Sequence, residues 1–388
     1  MKQSLARHWR FAALLALTSV GMASGTAAPL PGDELGKATA ALKSATVLPA
    51  NELAEARAAL TRAADAILRH QQPDGAIVMG ETTRPPLRVS PYFANLAALG
   101  LARAYHITRD IRHLQAARRW LDWYIAHLNP DATIYDYTGT PQSWVSTGIA
   151  DSTDSYAATF LDAAWEVYRA TDDAAWRRQT YGMVARAVAA IRLTQQPTGL
   201  TTAKPDYPVI YTMDNAEVYR GWMAAKALAG TDFDHALTYT RQAEASLKAI
   251  REQLWRETDA GNGHYLVGLQ TDGAIFDTKQ PMVWYPDEMA QLMAIAWLPP
   301  DARHHALWGR LRGQVSKLPR AVATEGDLER LVWWTMAAQA VEDSDTTRAL
   351  LPRLIAFDGT LKSVDNVALY GHLCRVLEVT LVPHKPVF

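Results

Sequence analysis

The stretch W-V-S-T-G-I-A-D-S-T-D-S-Y-A-A-T-F-L-D-A-A-W, Trp144 to Trp165, decides how the rest of the chain is read. It opens with small and polar residues, sets Asp151 and Asp154 three apart, and passes into an amphipathic run. Tyr156, Phe160, Ala163, Ala164 and Val167 recur at i, i+4, i+7, i+8 and i+11, one stripe of a helix. The two carboxylates therefore stand at a helix start, where unpaired N–H groups and the helix dipole favour negative charge. The same aromatic-then-acid opening returns at 211–222 (Y-T-M-D-N-A-E-V-Y-R-G-W), with Asp214, and at 284–292 (W-Y-P-D-E-M-A-Q-L), with Asp287.

Outward from these three starts the chain reads helix after helix. Periodicity predicts twelve, over 51–71, 91–106, 110–128, 152–170, 173–194, 213–229, 233–257, 286–298, 301–318, 326–342, 345–356 and 364–381. Odd-numbered helices carry charges along one side, as in Arg57, Arg62, Asp65 and Arg69 of the first. Even-numbered ones are apolar around most of their circumference, clearest at 91–105 and 287–298. A helix apolar all round is buried on several sides, whereas a one-sided helix covers something. Six of each predict an all-α fold, an (α/α)6 toroid of six helical hairpins with an inner ring wrapped by an outer ring. A solenoid of short repeats is the structural alternative, but no repeat signature is present.

Connections alternate too. Those entering the buried helices are long (72–90, 129–151, 195–212, 258–285) and those leaving them are short. Long loops in a compact domain usually carry function. If the inner helices run parallel, all the long loops and the acid-headed helix starts share one end. The 258–285 loop contains Gly261-Asn262-Gly263 and Thr271-Asp272-Gly273 as turn signals, and a small β-hairpin is expected around 264–276.

Composition excludes some classes. The net charge of −1 and the absence of a basic run give no pull toward nucleic acid. Residues 1–28 read as a signal peptide. Lys2, Arg7 and Arg10 precede an apolar run too short to span a bilayer comfortably, and small residues follow at 23–28. The expectation is a bacterial protein exported to the periplasm or medium, with a single domain over 29–388 and no membrane association after cleavage. Cys374 is the only cysteine, and its apolar surroundings predict an inert buried thiol. H-E-x-x-H, C-x-x-C, G-x-S-x-G, P-loop and G-x-G-x-x-G signatures are absent, so neither a metal nor a cofactor is implied. His304-His305 on a charged outer helix reads as solvated.

Paired carboxylates remain as the candidate chemistry. Asp or Ser before a helix is the commonest N-cap, and one cap needs one residue; Asp151-Ser152-Thr153-Asp154 offers more than capping requires. Asp214 is followed by Glu217, which is read here as lying on a different face. Glu81 sits in the first long loop, near Arg84 and Arg88, which pair with it or meet an anionic sugar. Asp287 follows Trp284-Tyr285-Pro286, a plain helix start whose aromatics favour a substrate-facing role. Trp144, Tyr211, Trp222, Trp284 and Tyr285 are candidate sugar-stacking residues, with Asp287 and Arg88 as polar contacts. Of Trp333-Trp334, at least one ring must leave the helix's main face, for core or groove.

The helical alternation with acid-headed inner helices, over about residues 51–381, resembles the six-hairpin glycosidase superfamily. Within it, Glu81 and D-S-T-D at 151–154 lie where family 8 endoglucanases carry a Glu acid and an Asp-rich motif, although M-G-E-T replaces that family's S-E-G. Asp151 or Asp154, with Asp214 in T-M-D-N, are similar in placement to the acids of unsaturated uronyl hydrolases, whose D-x-M-M-N-like setting is not matched. The resemblance implies a glycoside hydrolase in which one carboxyl protonates the glycosidic oxygen and another activates water. Inversion would put the two roughly 6.5–9.5 Å apart. Asp214 with Asp151 or Asp154 is the expected pair, with Glu81 in reserve. Other readings are a uronyl hydrolase, a non-catalytic carbohydrate-binding protein of an exopolysaccharide pathway using the acids only as caps, and a uronate lyase, for which only His264-Tyr265 offers a base pair.

Overall fold

The structure, a computed structural model, describes residues 49–382 except 81, 172, 259–261 and 362–364. The signal-peptide expectation and Glu81 lie outside the described residues. Twelve α-helices are present among those described: α1 Ala50–His70, α2 Pro91–Thr108, α3 Ile111–Ala126, α4 Thr153–Thr171, α5 Ala174–Thr194 and α6 Thr212–Ala229. They continue as α7 Phe233–Gln253, α8 Met289–Trp297, α9 Ala302–Leu311, α10 Glu325–Ala340, α11 Ser344–Ile355 and α12 Ala368–Leu381. The even-numbered helices pack side by side in order and close on themselves through α12 against α2, while odd-numbered helices cover them from outside. Short inner-to-outer links hold each pair antiparallel, so the inner helices run parallel. Their N-termini face one end of the ring.

The two ends differ in chemistry. At the short-link end, Asp110, Asp173, Asp232, Asp301 and Asp343 each N-cap the following outer helix through backbone N–H groups. At the other end, α2, α6, α8 and α12 start without a side-chain cap. Ser152 Oγ accepts from Ser155 N at 3.1 Å at the start of α4, and α10 has a capping box between Thr324 and Asp327.

The core is apolar and close-packed where inner helices meet. A Cβ on Gly371 of α12 would strike the Leu96 carbonyl of α2, and one on Gly221 would come within 2.8 Å of Ala158 on α4. Asn95 ties three helices together: its Oδ1 accepts from Trp120 Nε1 of α3 at 2.9 Å, and its Nδ2 donates to the Tyr156 carbonyl of α4 at 2.9 Å. Cys374 is buried, and burial pushes its thiol up. No helix among the described residues is long and apolar enough to cross a membrane.

The long-loop end carries more strand than the sequence suggested. β1 Leu87–Val89, β2 Tyr137–Thr140 and β3 Ser143–Ser146 form one antiparallel sheet; β4 Val209–Tyr211 pairs with β7 Gly268–Gln270, which pairs with β8 Ile275–Phe276; β5 Trp255–Thr258 pairs with β6 Asn262–Tyr265. The expected hairpin exists as β7–β8, with Gly273 at φ +91° in its turn. Residues 255–257, expected to end α7, are strand instead, because with Thr258 they pair with β6. His304, expected in solvent, is buried against Asp301, with Nδ1 2.7 Å from Oδ1.

Candidate active site at the inner-helix N-termini

Helix starts bring Asp151, Asp154, Asp214 and Glu217 into one cluster. Asp154, in the first turn of α4, is fully buried. Its Oδ1 accepts from Ser152 Oγ at 2.6 Å and Ser155 N at 2.8 Å, and its Oδ2 from Thr201 Oγ1 at 2.6 Å. Burial pushes its carboxyl up to about 6 against those three hydrogen bonds. Thr201 is fixed in turn by Asn215, whose Oδ1 accepts from Thr201 N at 2.9 Å. Asp154 thus locks the 195–211 loop to the start of α4 and presents no face to solvent.

Asp214, three residues into the first turn of α6, is half-buried and caps nothing. Desolvation raises its carboxyl well above the ordinary range, and the neighbouring charges of Asp154, Glu217 and Asp151 raise it further; Ser152, also the donor to Asp154, opposes this. Asp151 is exposed just before α4, its N–H donating to Tyr156 Oη at 3.3 Å.

Glu217 was placed on another face, and the structure corrects this: residues i and i+3 are neighbours on a helix surface. Glu217 is buried, accepts from Tyr92 Oη at 2.7 Å, and is pushed up to about 8 by burial. Tyr92, in the first turn of α2, was not singled out from sequence, nor was Asp136. Asp136 accepts from Tyr156 Oη at 2.8 Å and is raised by burial. An aromatic directly after the Pro91 helix start was the available signal for Tyr92. Asp136 lies before a strand that carries no periodic mark.

Tyrosines surround the acids. Tyr211, immediately before α6, is half-buried, with its hydroxyl 3.3 Å from that of Tyr207. Tyr285 is 67% exposed in the turn Trp284–Glu288, and its hydroxyl is raised first by desolvation and then by Asp214, Asp151 and Glu329. Val145, Ile149, Tyr207, Ile275, Phe276 and Val283 are further large apolar side chains left exposed on these loops.

Other candidates lie elsewhere. Trp222 is fully buried and stacks on Tyr239 at 6.1 Å, so it is core and touches no substrate. Asp287 is buried, its Oδ2 accepting from Val283 N at 3.1 Å; it closes its own turn. Trp284 donates to Glu329 at 2.8 Å under the Arg330 guanidinium. Trp144 is half-buried against Trp123 and donates to Asp74 at 2.6 Å. Arg88 pairs with Asp365 at 2.6 Å on the rim. Both Trp333 and Trp334 are buried. His264 pairs with Asp277 at 2.7 Å and Tyr265 is fully buried, so they form no open base pair. Among the described residues, no group of three or more His, Cys, Asp or Glu side chains is placed to hold a metal ion.

Most acids at the two ends of the ring are shifted in opposite directions; Asp277, in the 258–285 loop, is an exception at the long-loop end, where burial acts upward but the hydrogen bonds from His264 and Thr278 win. The caps Asp110, Asp173 and Asp232 are lowered chiefly by the hydrogen bonds they accept; for Asp301 and Asp343 burial acts upward but their hydrogen bonds win. Asp136, Asp154, Asp214, Glu217, Glu288 and Glu329 at the long-loop end are all raised, with burial the largest cause in each. Raised carboxyls gathered in a cleft mark candidate catalytic groups.

No family model matches the sequence, and no curated protein matches it. Solved structures do. Mannosylglycerate hydrolase from Thermus thermophilus in complex with glucose superposes with a TM-score of 0.57 at 11% identity, over 82% of this chain and 99% of that one. An unsaturated glucuronyl hydrolase specific for heparin gives 0.56 at 9%, over 84% and 96%. A rhamnosidase from Klebsiella oxytoca with rhamnose bound gives 0.55 at 14%, covering 81% of this chain, which spans only 56% of the rhamnosidase. The protein shares the (α/α)6 toroid fold of these solved structures.

Proposed function

We propose that the protein hydrolyses a glycosidic bond at the long-loop end of its ring, with Asp214 as proton donor and Asp151 as the carboxylate that activates water. The observation that carries this reading is the contrast between the ends: acids that serve as caps are held low, whereas Asp214 is raised and caps nothing. A donor needs a carboxyl that is still protonated when substrate binds, and burial beside like charges provides it. The exposed Asp151 reaches water directly. Asp154 positions the start of α4 rather than touching substrate, and Glu217 with Tyr92 forms the floor below Asp214. The tyrosine rim suits the apolar C–H face of a sugar ring. Inversion at the anomeric carbon and export after loss of residues 1–28 are part of the same proposal.

The test is turnover of a panel of oligosaccharides by wild type and Asp214→Asn. Loss of a general acid lowers kcat by roughly 10²–10⁴-fold, and an aryl glycoside with a good leaving group recovers part of the rate. Sugar binding without turnover in the wild type would instead leave a carbohydrate-binding protein. Absorbance growth at 235 nm would identify a lyase.

A further inference from the structure

The inner ring encloses charge below the candidate site. Arg103 of α2 pairs with Glu166 of α4 at 2.5 Å and with Glu378 of α12 at 2.7 Å. Arg169 reaches the same two carboxylates at 2.6 and 2.9 Å, and His106 Nδ1 lies 3.0 Å from Glu378. Arg220 of α6 pairs with Asp162 at 2.9 Å. Each of these three carboxylates therefore has a guanidinium partner.

Arg375 does not share in this. It is only 6% exposed and forms no ion pair among the described residues, and its Nη1 has no acceptor. Its guanidinium carbon lies 3.9 Å from the centre of the Trp297 ring, over which Arg220 also lies at 4.5 Å. Trp297 Nε1 has no acceptor either, nor has Arg103 Nε. His372, one turn before Arg375, packs 4.7 Å from Trp333 and is pushed down to about 3 by burial and by Arg375, so it adds no charge near neutrality. Glu217, the next carboxyl toward the mouth, is protonated up to about 8 and already bound by Tyr92.

A guanidinium keeps its proton inside a protein. A cation–π contact with a ring already shared with Arg220 returns only part of the cost of desolvating that charge. Water would satisfy the N–H groups but not the charge. We propose that Arg375 and the Trp297 Nε1–H hold a small monovalent anion of the halide class inside the ring. Four guanidiniums then face three carboxylates and one anion, and the buried charges balance.

The intact protein tests this in sodium chloride against sodium gluconate at matched ionic strength. Chloride raises Tm by about 1–2 °C per tenfold increase above its half-saturation, and gluconate, a far bulkier anion, does not. A crystal soaked in bromide gives an anomalous peak beside Arg375 and Trp297, and Arg375→Met removes the chloride dependence. The peak requires no variant, so poor folding of R375M leaves the test intact. Equal melting in both salts with no peak in the ring overturns the site, as does a halide found only on the surface or a chloride effect that persists in R375M.

Discussion

Asp214 and Glu217 lie one turn apart on α6, yet they are suited to different work. Asp214 is partly exposed, while Glu217 is buried and held by Tyr92. A buried carboxyl whose folded pKa is raised contributes stability below its unfolded pKa and loses it as pH rises through the folded value. For Glu217 that window runs from 4.5 to about 8. Glu217→Gln should therefore melt higher than wild type at pH 8–9 and close to it at pH 4, which parallel thermal scans check. From sequence Glu217 was put on a different face, although i+3 spacing places it beside Asp214; its burial carried no local signal, because Tyr92 comes from a helix 125 residues earlier. Trp222 misled for a related reason. An aromatic two turns past an acid looks substrate-facing until the outer helix α7 covers it with Tyr239.

Helices were legible because their period is local and their apolar faces are long. The short strands were not: three or four residues carry no period, and their partners lie far off in sequence, as Arg88 pairs with Thr138. Links at the short-link end repeat an Asp before each outer helix, and all five cap. Asp173→Ala should cost about 1 kcal/mol of stability with turnover unchanged, measured by denaturant unfolding and by initial rate. Asp154 is a different case, since its carboxylate joins two loops across the site. Asp154→Asn keeps the volume but offers a donor to Thr201 and Ser152, and both kcat and Tm should fall. Where inner helices touch, Gly371→Ala forces its methyl into the Leu96 carbonyl of α2. Overpacking of that kind costs about 1–3 kcal/mol, which a drop in Tm without a change in KM would register.

At the scale of the molecule, two sets of acids set opposite limits on pH. Glu378, buried among Arg103, Arg169 and His106, is held low despite its desolvation, as are the five caps, and the stability they give disappears on acidification. Asp154 and Glu217, raised to about 6 and about 8, make stability fall as pH rises from about 4. Unfolding midpoints plotted against pH should peak near about pH 5 and decline on both sides; a plateau through pH 8 would show that the site carboxyls do not titrate as buried acids. Charges inside the inner ring escaped the sequence reading, because a lone Arg or Glu on an otherwise apolar helix looks like a solvated position until five other helices close around it.

The capped, tightly linked base of the ring has a practical consequence. Nothing proposed to bind or react depends on it, and Gly230, Thr231 and Glu342 in its links, with Asp345 just after one, are exposed. A cysteine introduced beside Asp232 or Asp343 would anchor the protein to a bead or electrode by its back, leaving the opening turned to the medium.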